Sequence, residues 1–124
     1  MTATRAGLRS LGFGLYAPDD RQAASVATVA FPPAGIDPGP LLRAAAGIAQ
    51  GGPADSGLIA AAAPGTLAGR AIRLNHTGPY AALAPVLTTL TCLGAAVVTL
   101  GGTADIAAAV AAGVQEWAAG AERS

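Results

Sequence analysis

The sequence predicts an α+β domain: a small sheet of about three mainly antiparallel strands with helices on one face. Three observations predict it. Short runs of β-branched or small apolar residues, bounded by turn signals, read as strands. Longer runs with large apolar side chains every three or four residues read as helices with one buried face. Their order is helix, strand, helix, strand, strand, helix, helix, which suits a sheet with a helical layer. The 124 residues, with no internal repeat and no linker, read as one domain spanning 1–124 with a single core. An exposed opposite face of the sheet would need a second layer.

The elements follow in order along the chain. Residues 3–12 read as a short helix ending at Gly12, and Phe13, Leu15 and Tyr16 form an extended lead-in to the Pro18-Asp19-Asp20 turn. Ala24 to Phe31 (ASVATVAF) reads as a strand that Pro32-Pro33-Ala34-Gly35 breaks. Asp37 is a good N-cap, with Pro38 at the first helical position, for a helix running to about Ala49. Gly51-Gly52-Pro53 stops it. Gly57 to Ala62 is a weak second strand, and Ala71 to Asn75 is the third. Thr77-Gly78-Pro79 opens a long helix whose buried face carries Leu83, Val86, Leu87, Leu90, Leu93, Val97 and Leu100. Gly101-Gly102 ends it. Thr103 caps a last helix with Ile106, Val110, Val114 and Trp117 on one face. Trp117 reads as core or interface rather than as a platform for a ligand.

Composition narrows the function. Only 11% of residues are charged, against roughly 25% in ordinary soluble domains. So few charges leave a poor surface for a free monomer, which points to a partner or a membrane. Leu74 to Ala104 is free of charge at pH 7, long enough to raise a membrane span. Pro85, the threonines and the glycines in it, and the one-sided stripe of large side chains, favour a packed helix, so no membrane is expected. Net charge is zero, which argues against nucleic acid. All seven basic residues are arginine. With no lysine there is no Walker phosphate loop and no Schiff base from this chain. The one histidine and one cysteine cannot build a zinc site, so no metal is expected, and Cys92 reads as a buried, inert thiol. No signal-type apolar segment opens the chain, and a cytoplasmic location is expected.

The densest polar cluster is Arg73, Asn75, His76 and Thr77, within Gly69-Arg70-Ala71-Ile72-Arg73-Leu74-Asn75-His76-Thr77-Gly78. An arginine between apolar Ile72 and Leu74 on the buried side of a strand needs an anion, because an unpaired buried charge is costly. Arg73 therefore binds a carboxylate, either that of a small ligand or an internal one such as Asp55 or Asp37. Asn75 either donates to a ligand or serves the turn. His76 has no Ser, Cys or Asp spaced to work with it, so it reads as packing or capping at the strand–helix junction rather than as a general base. Arg70 reads as a solvated strand-end residue.

These segments together resemble the C-terminal small domain of class V, fold-type I aminotransferases that depend on pyridoxal phosphate, the group of alanine–glyoxylate, serine–pyruvate and pyridoxamine–pyruvate aminotransferases. Ser25 to Val29 followed by Pro33-Ala34-Gly35-Ile36-Asp37 is similar to the family's strand, its Pro-Glu-Gly-Ile-Asp turn and its helix. Gly51-Gly52 sits where the family often has glycines. Gly69 to Gly78 is similar to Gly-Lys-x-Phe-Arg-Ile-Gly-His-Met-Gly, and Leu93-Gly94 fits near the end of the next helix. The resemblance runs from about residue 3 to about 118. It implies that Arg73 holds the substrate's α-carboxylate, with Asn75 and His76 beside it in the substrate site. A guanidinium forks onto a carboxylate with two parallel hydrogen bonds, which lysine cannot imitate. Asn75 stands for a usual glycine and Thr77 for a usual methionine or leucine, so substrate choice departs from the pattern.

The family's large domain, with its Schiff-base lysine, pyridine-ring aspartate and phosphate loop, is absent, while Met1 opens the chain as in a complete gene product. The resemblance therefore implies the small subunit of a split aminotransferase. A separate large subunit would hold pyridoxal phosphate and the lysine, and this chain would contribute no catalytic residue, only the carboxylate clamp and part of the active-site wall. The substrate would be a small amino acid or 2-oxo acid. The alternatives are the small subunit of another fold-type I enzyme of lyase or desulfurase type, a non-catalytic binding or assembly module, or a gene relic.

Overall fold

The computed structural model describes residues 2–15, 27–50, 60–62, 69–75 and 83–123. Four helices and one sheet form an α+β fold. The elements are α1 (Thr2–Ser10), β1 (Gly14–Leu15), β2 (Ala27–Phe31), α2 (Pro38–Gln50), β3 (Ala60–Ala62), β4 (Ile72–Asn75), α3 (Leu83–Thr99) and α4 (Ile106–Arg123). The parts of the expected strands at 24–26 and 57–59, the turns at Pro18-Asp19-Asp20 and Gly51-Gly52-Pro53, and the Thr77-Gly78-Pro79 helix start lie outside the described residues.

The sheet has the order β1-β2-β4-β3, and every pairing is antiparallel. It has one strand more than expected. The lead-in after Phe13 pairs with β2, Gly14 with Phe31 and Leu15 with Ala30. Two residues are too short for alternation to mark them as a strand.

Alternation gives the sheet two unlike faces. Thr28 and Ala30 of β2 and Ile72 and Leu74 of β4 turn inward and are at most 1% exposed. They meet a core built with Leu8, Leu11 and Phe13 at the α1 end, Leu41 and Ala45 of α2, and Val86, Leu90, Leu93 and Val97 of α3. Burying one such aliphatic side chain contributes about 1.5–3 kcal/mol. The helices cover this face, as expected.

Helix ends are set by glycine and by one aspartate. Gly12, at φ +90°, lets Phe13 N–H donate to Leu8 C=O (3.0 Å) and Gly12 N–H donate to Arg9 C=O (3.1 Å). Gly101, at φ +93°, repeats the arrangement: Gly102 N–H donates to Val97 C=O (2.9 Å) and Gly101 N–H to Val98 C=O (3.0 Å). These are Schellman ends, and left-handed backbone makes glycine the fitting residue there. At the start of α4 the expected Thr103 cap is corrected to Asp105, whose Oδ1 accepts from Ala108 N–H at 2.9 Å. The chain turns into the helix two residues later than the threonine suggests.

The helices pack closely because small residues sit where they cross. A Cβ built at Gly94 of α3 would lie 2.7 Å from Ile106 Cγ1 and 3.0 Å from Leu11 Cδ2. Among the described residues, Ala109 and Gly113 are the buried positions of α4. Of the four residues expected on one face of α4, Ile106 and Val110 are half-buried, while Val114 is 41% and Trp117 36% exposed, so Trp117 is not core. Leu100, expected on the buried face of α3, is exposed as well. Within α3, Thr91 and Thr99 donate their hydroxyls to Leu87 C=O (2.8 Å) and Ala95 C=O (2.9 Å), so polar residues enter this uncharged helix without orphaned groups. Among the described residues no helix is long and apolar enough to cross a membrane.

Candidate functional site

Arg73 is mounted on β4, an inner strand held by ladders on both sides. It stands opposite Val29 of β2 and Ala61 of β3, while its neighbours Ile72 and Leu74 take the inward positions. Its own position faces outward, and the side chain is exposed. This corrects the expectation of a buried-side arginine. The apolar flanks lie on the other face of the strand, so they exert no desolvation on the guanidinium, and the charge does not need an internal partner to be tolerated. Val29 is half-buried and Ala61 exposed. The cross-strand row is thus one cation between two small apolar side chains, on the face opposite the core that the described helices build.

Asn75 closes β4, its backbone paired with Ala27. His76 lies outside the described residues, as does Asp55. Asp37 is exposed at the start of α2, where its carbonyl accepts from Leu41 N–H at 3.2 Å, and among the described residues no ion pair joins it to Arg73. Arg70 is exposed in the turn before β4, as a solvated strand-end residue should be, next to Gly69 at φ +78°.

Other chemistry in the chain is separate from this row. An open cleft of about 660 Å³ lies between the end of α1 and the start of α4, lined by Ser10, Leu11, Gly12, Thr103, Ala104, Asp105 and Ile106, and Arg73 takes no part in it. Cys92 is buried among core residues, and burial pushes its thiol pKa up, away from the reactive thiolate. Among the described residues no three His, Cys, Asp or Glu side chains come together to hold a metal ion.

Two features escaped the sequence reading. Val29 and Ala61 flank Arg73 only through strand pairing, which no local pattern announces. Arg5 of α1 is 1% exposed, a buried cation with a partner of its own. Its three-residue spacing from Leu8 was the signal that could have revealed it.

Comparison with known proteins falls on this same fold. The chain is similar to the crystal structure of pyridoxamine-pyruvate aminotransferase from Mesorhizobium loti, with a TM-score of 0.80 and 28% identity over 94% of this chain. It is also similar to ureidoglycine-glyoxylate aminotransferase from Bacillus subtilis, with a TM-score of 0.75 and 25% identity over 93% of this chain. It spans 28% of the length of each of these chains. No family model matches, and no curated protein matches. The fold is that of a small aminotransferase-like domain, in keeping with the resemblance to class V aminotransferases.

Whether this chain could itself hold the cofactor of such enzymes is a question of its donors. It contains no lysine. The residues present therefore do not fit pyridoxal phosphate as a covalently anchored group, whereas Arg73 fits a carboxylate.

Proposed function

We propose that this chain is the small subunit of a split, cytoplasmic aminotransferase of class V, equivalent to the family's C-terminal small domain. It holds the α-carboxylate of a small amino acid or 2-oxo acid through Arg73 and forms part of the active-site wall. The observation that carries the reading is the outward Arg73 on an inner strand of an aminotransferase-like fold. A guanidinium there presents its fork to a ligand arriving from the side opposite the core, and the two ladders fix where the side chain starts. Asn75 and His76 follow it in sequence and are assigned to the same substrate site.

Pyridoxal phosphate serves as the electron sink in enzymes of this kind, and in this reading it resides on a separate large subunit together with the Schiff-base lysine. What Arg73 contributes is orientation: it fixes one end of the substrate so that the Cα–H and amino group point toward the other subunit. Apolar Val29 and Ala61 beside it add no competing hydrogen-bond partners.

The test is co-expression of this chain with the product of a neighbouring gene encoding an aminotransferase large domain. Size exclusion follows, with an absorbance scan for bound cofactor at about 400–430 nm. Co-elution with that band and transaminase activity is the expected result. In the active complex Arg73→Ala lowers kcat/KM by about 2–4 kcal/mol in transition-state terms, and unchanged kinetics would sink the clamp. A chain that runs alone and colourless beside every large-domain candidate would instead favour the non-catalytic binding module.

A further inference from the structure

The solvent side of α4 is apolar where a surface helix is ordinarily charged. Ala107, Ala111, Val114 and Ala118 are all exposed, and helical periodicity puts them opposite the buried Ala109 and Gly113. Ala108 and Gln115 flank this stripe along one edge, Val110 and Trp117 along the other. Glu116 is the one charged residue between Ala107 and Ala118, and it is half-buried on the side of Ala109 and Gly113. A helix side left to water ordinarily carries charged and polar residues instead.

The spacing of the stripe decides what fits on it. Its residues follow one another by four, three and four, the intervals of a coiled-coil seam. That order reads the same in both directions, so the stripe is complementary to itself under a two-fold axis. We infer that two copies of this chain associate through α4, antiparallel, with Ala111 facing Val114 of the other copy and Ala107 facing its Ala118. The alanines let the two helices approach closely. Trp117 of each copy then lies along Val110 of the other, and no like charges oppose one another across the seam. About three turns of helix, roughly 18 Å, meet in this contact. That is less than the roughly 800 Å² per partner of a standard interface supplies, so the dimer is weak and reversible. The inference does not rest on the split-enzyme reading, and α4 carries none of the residues assigned to the carboxylate site.

Trp117 is the chain's one tryptophan, so its emission reports on this contact directly. Sedimentation equilibrium and tryptophan fluorescence are followed together on the full chain, from about 1 μM to about 1 mM. The average mass rises from one copy toward two, and the emission moves to shorter wavelength over the same range as Trp117 leaves water. Ala111→Glu and Val114→Lys, each placing a charge in the seam, weaken self-association about tenfold or more. Val98→Lys, at an exposed position of α3, leaves it unchanged. Mixed in equal amounts, Ala111→Glu and Val114→Lys associate again, because the two-fold sets these positions against each other. Circular dichroism melts confirm that every variant is folded. A wild-type chain that stays monomeric throughout overturns the inference, as does one that dimerises with no shift in emission. An Ala111→Glu chain that dimerises like the wild type overturns the α4 face. Mixed variants that stay apart overturn the antiparallel pairing. A monomeric wild-type chain whose emission shifts only when a large subunit is added overturns the second copy as occupant and names that subunit instead.

Discussion

The two faces of the sheet are built from the same strands and differ in almost everything else. On the inner face Thr28, Ala30, Ile72 and Leu74 are packed against helices and essentially without solvent contact. On the outer face, one residue along, Arg73 and Ala61 are exposed and Val29 is half-buried. The strand period of two lets the four residues of β4 place Ile72 and Leu74 in the core and Arg73 in solvent, because neighbours in sequence do not share an environment. Substitutions on one face should therefore be read in unfolding, and those on the other in binding.

The largest expected effect tests the inner face. Leu74→Ala leaves a cavity in the buried core cluster and lowers unfolding free energy in urea by about 2–5 kcal/mol. A loss under 1 kcal/mol would mean that the helices do not seal this face. Next comes the helical layer that does the sealing. A Cβ at Gly7 of α1 would run into the Leu90 side chain, which is fully buried and has little room to turn away. Gly7→Ala thus destabilises by about 1–3 kcal/mol through overpacking, despite alanine's better helix propensity. Smaller again is the cap: Asp105→Ala costs about 1 kcal/mol and Thr103→Ala nothing measurable, and thermal melts of the pair would reverse the assignment if the threonine proved the costly one. The smallest effect belongs to the outer face. Arg73→Thr, which keeps a strand-favouring side chain, changes stability of the free chain by no more than about 0.5 kcal/mol. A large loss there would show the arginine to be a structural element and would erase the contrast between the faces.

How far these features were legible in the sequence depends on how local their causes are. Gly12 and Gly101 end their helices as read, because a left-handed residue is needed at one position and glycine supplies it. The one-sided helical cover was legible because large apolar residues recur every three or four positions in the long helices. The mistaken part was the sign of Arg73's environment: apolar neighbours at plus and minus one mark the opposite face of a strand, not the same one. The stripe of α4 misled in another way. Of the large residues at helical spacing, Ile106 meets α3 at Gly94 while Val114 and Trp117 are exposed, and Ala109 and Gly113, whose smallness permits close approach, are buried instead. The pairing that sets Val29 and Ala61 beside Arg73 joins segments far apart in sequence, so nothing short of the fold reveals it.

That same distance governs when Arg73 acquires its setting. The pairing of residues 27–30 with 72–75 closes a long loop, and α1 finds its place against Gly113 of α4, more than a hundred residues further on. Such non-local contacts form slowly, because chain entropy is lost before they repay it. During synthesis α1 emerges well before α4, the helix it packs against, so until α4 follows the nascent chain exposes the apolar sides of α1 and α3. A truncation that removed α4 would therefore do more than shorten the protein: it would hold the chain in that aggregation-prone, half-built state.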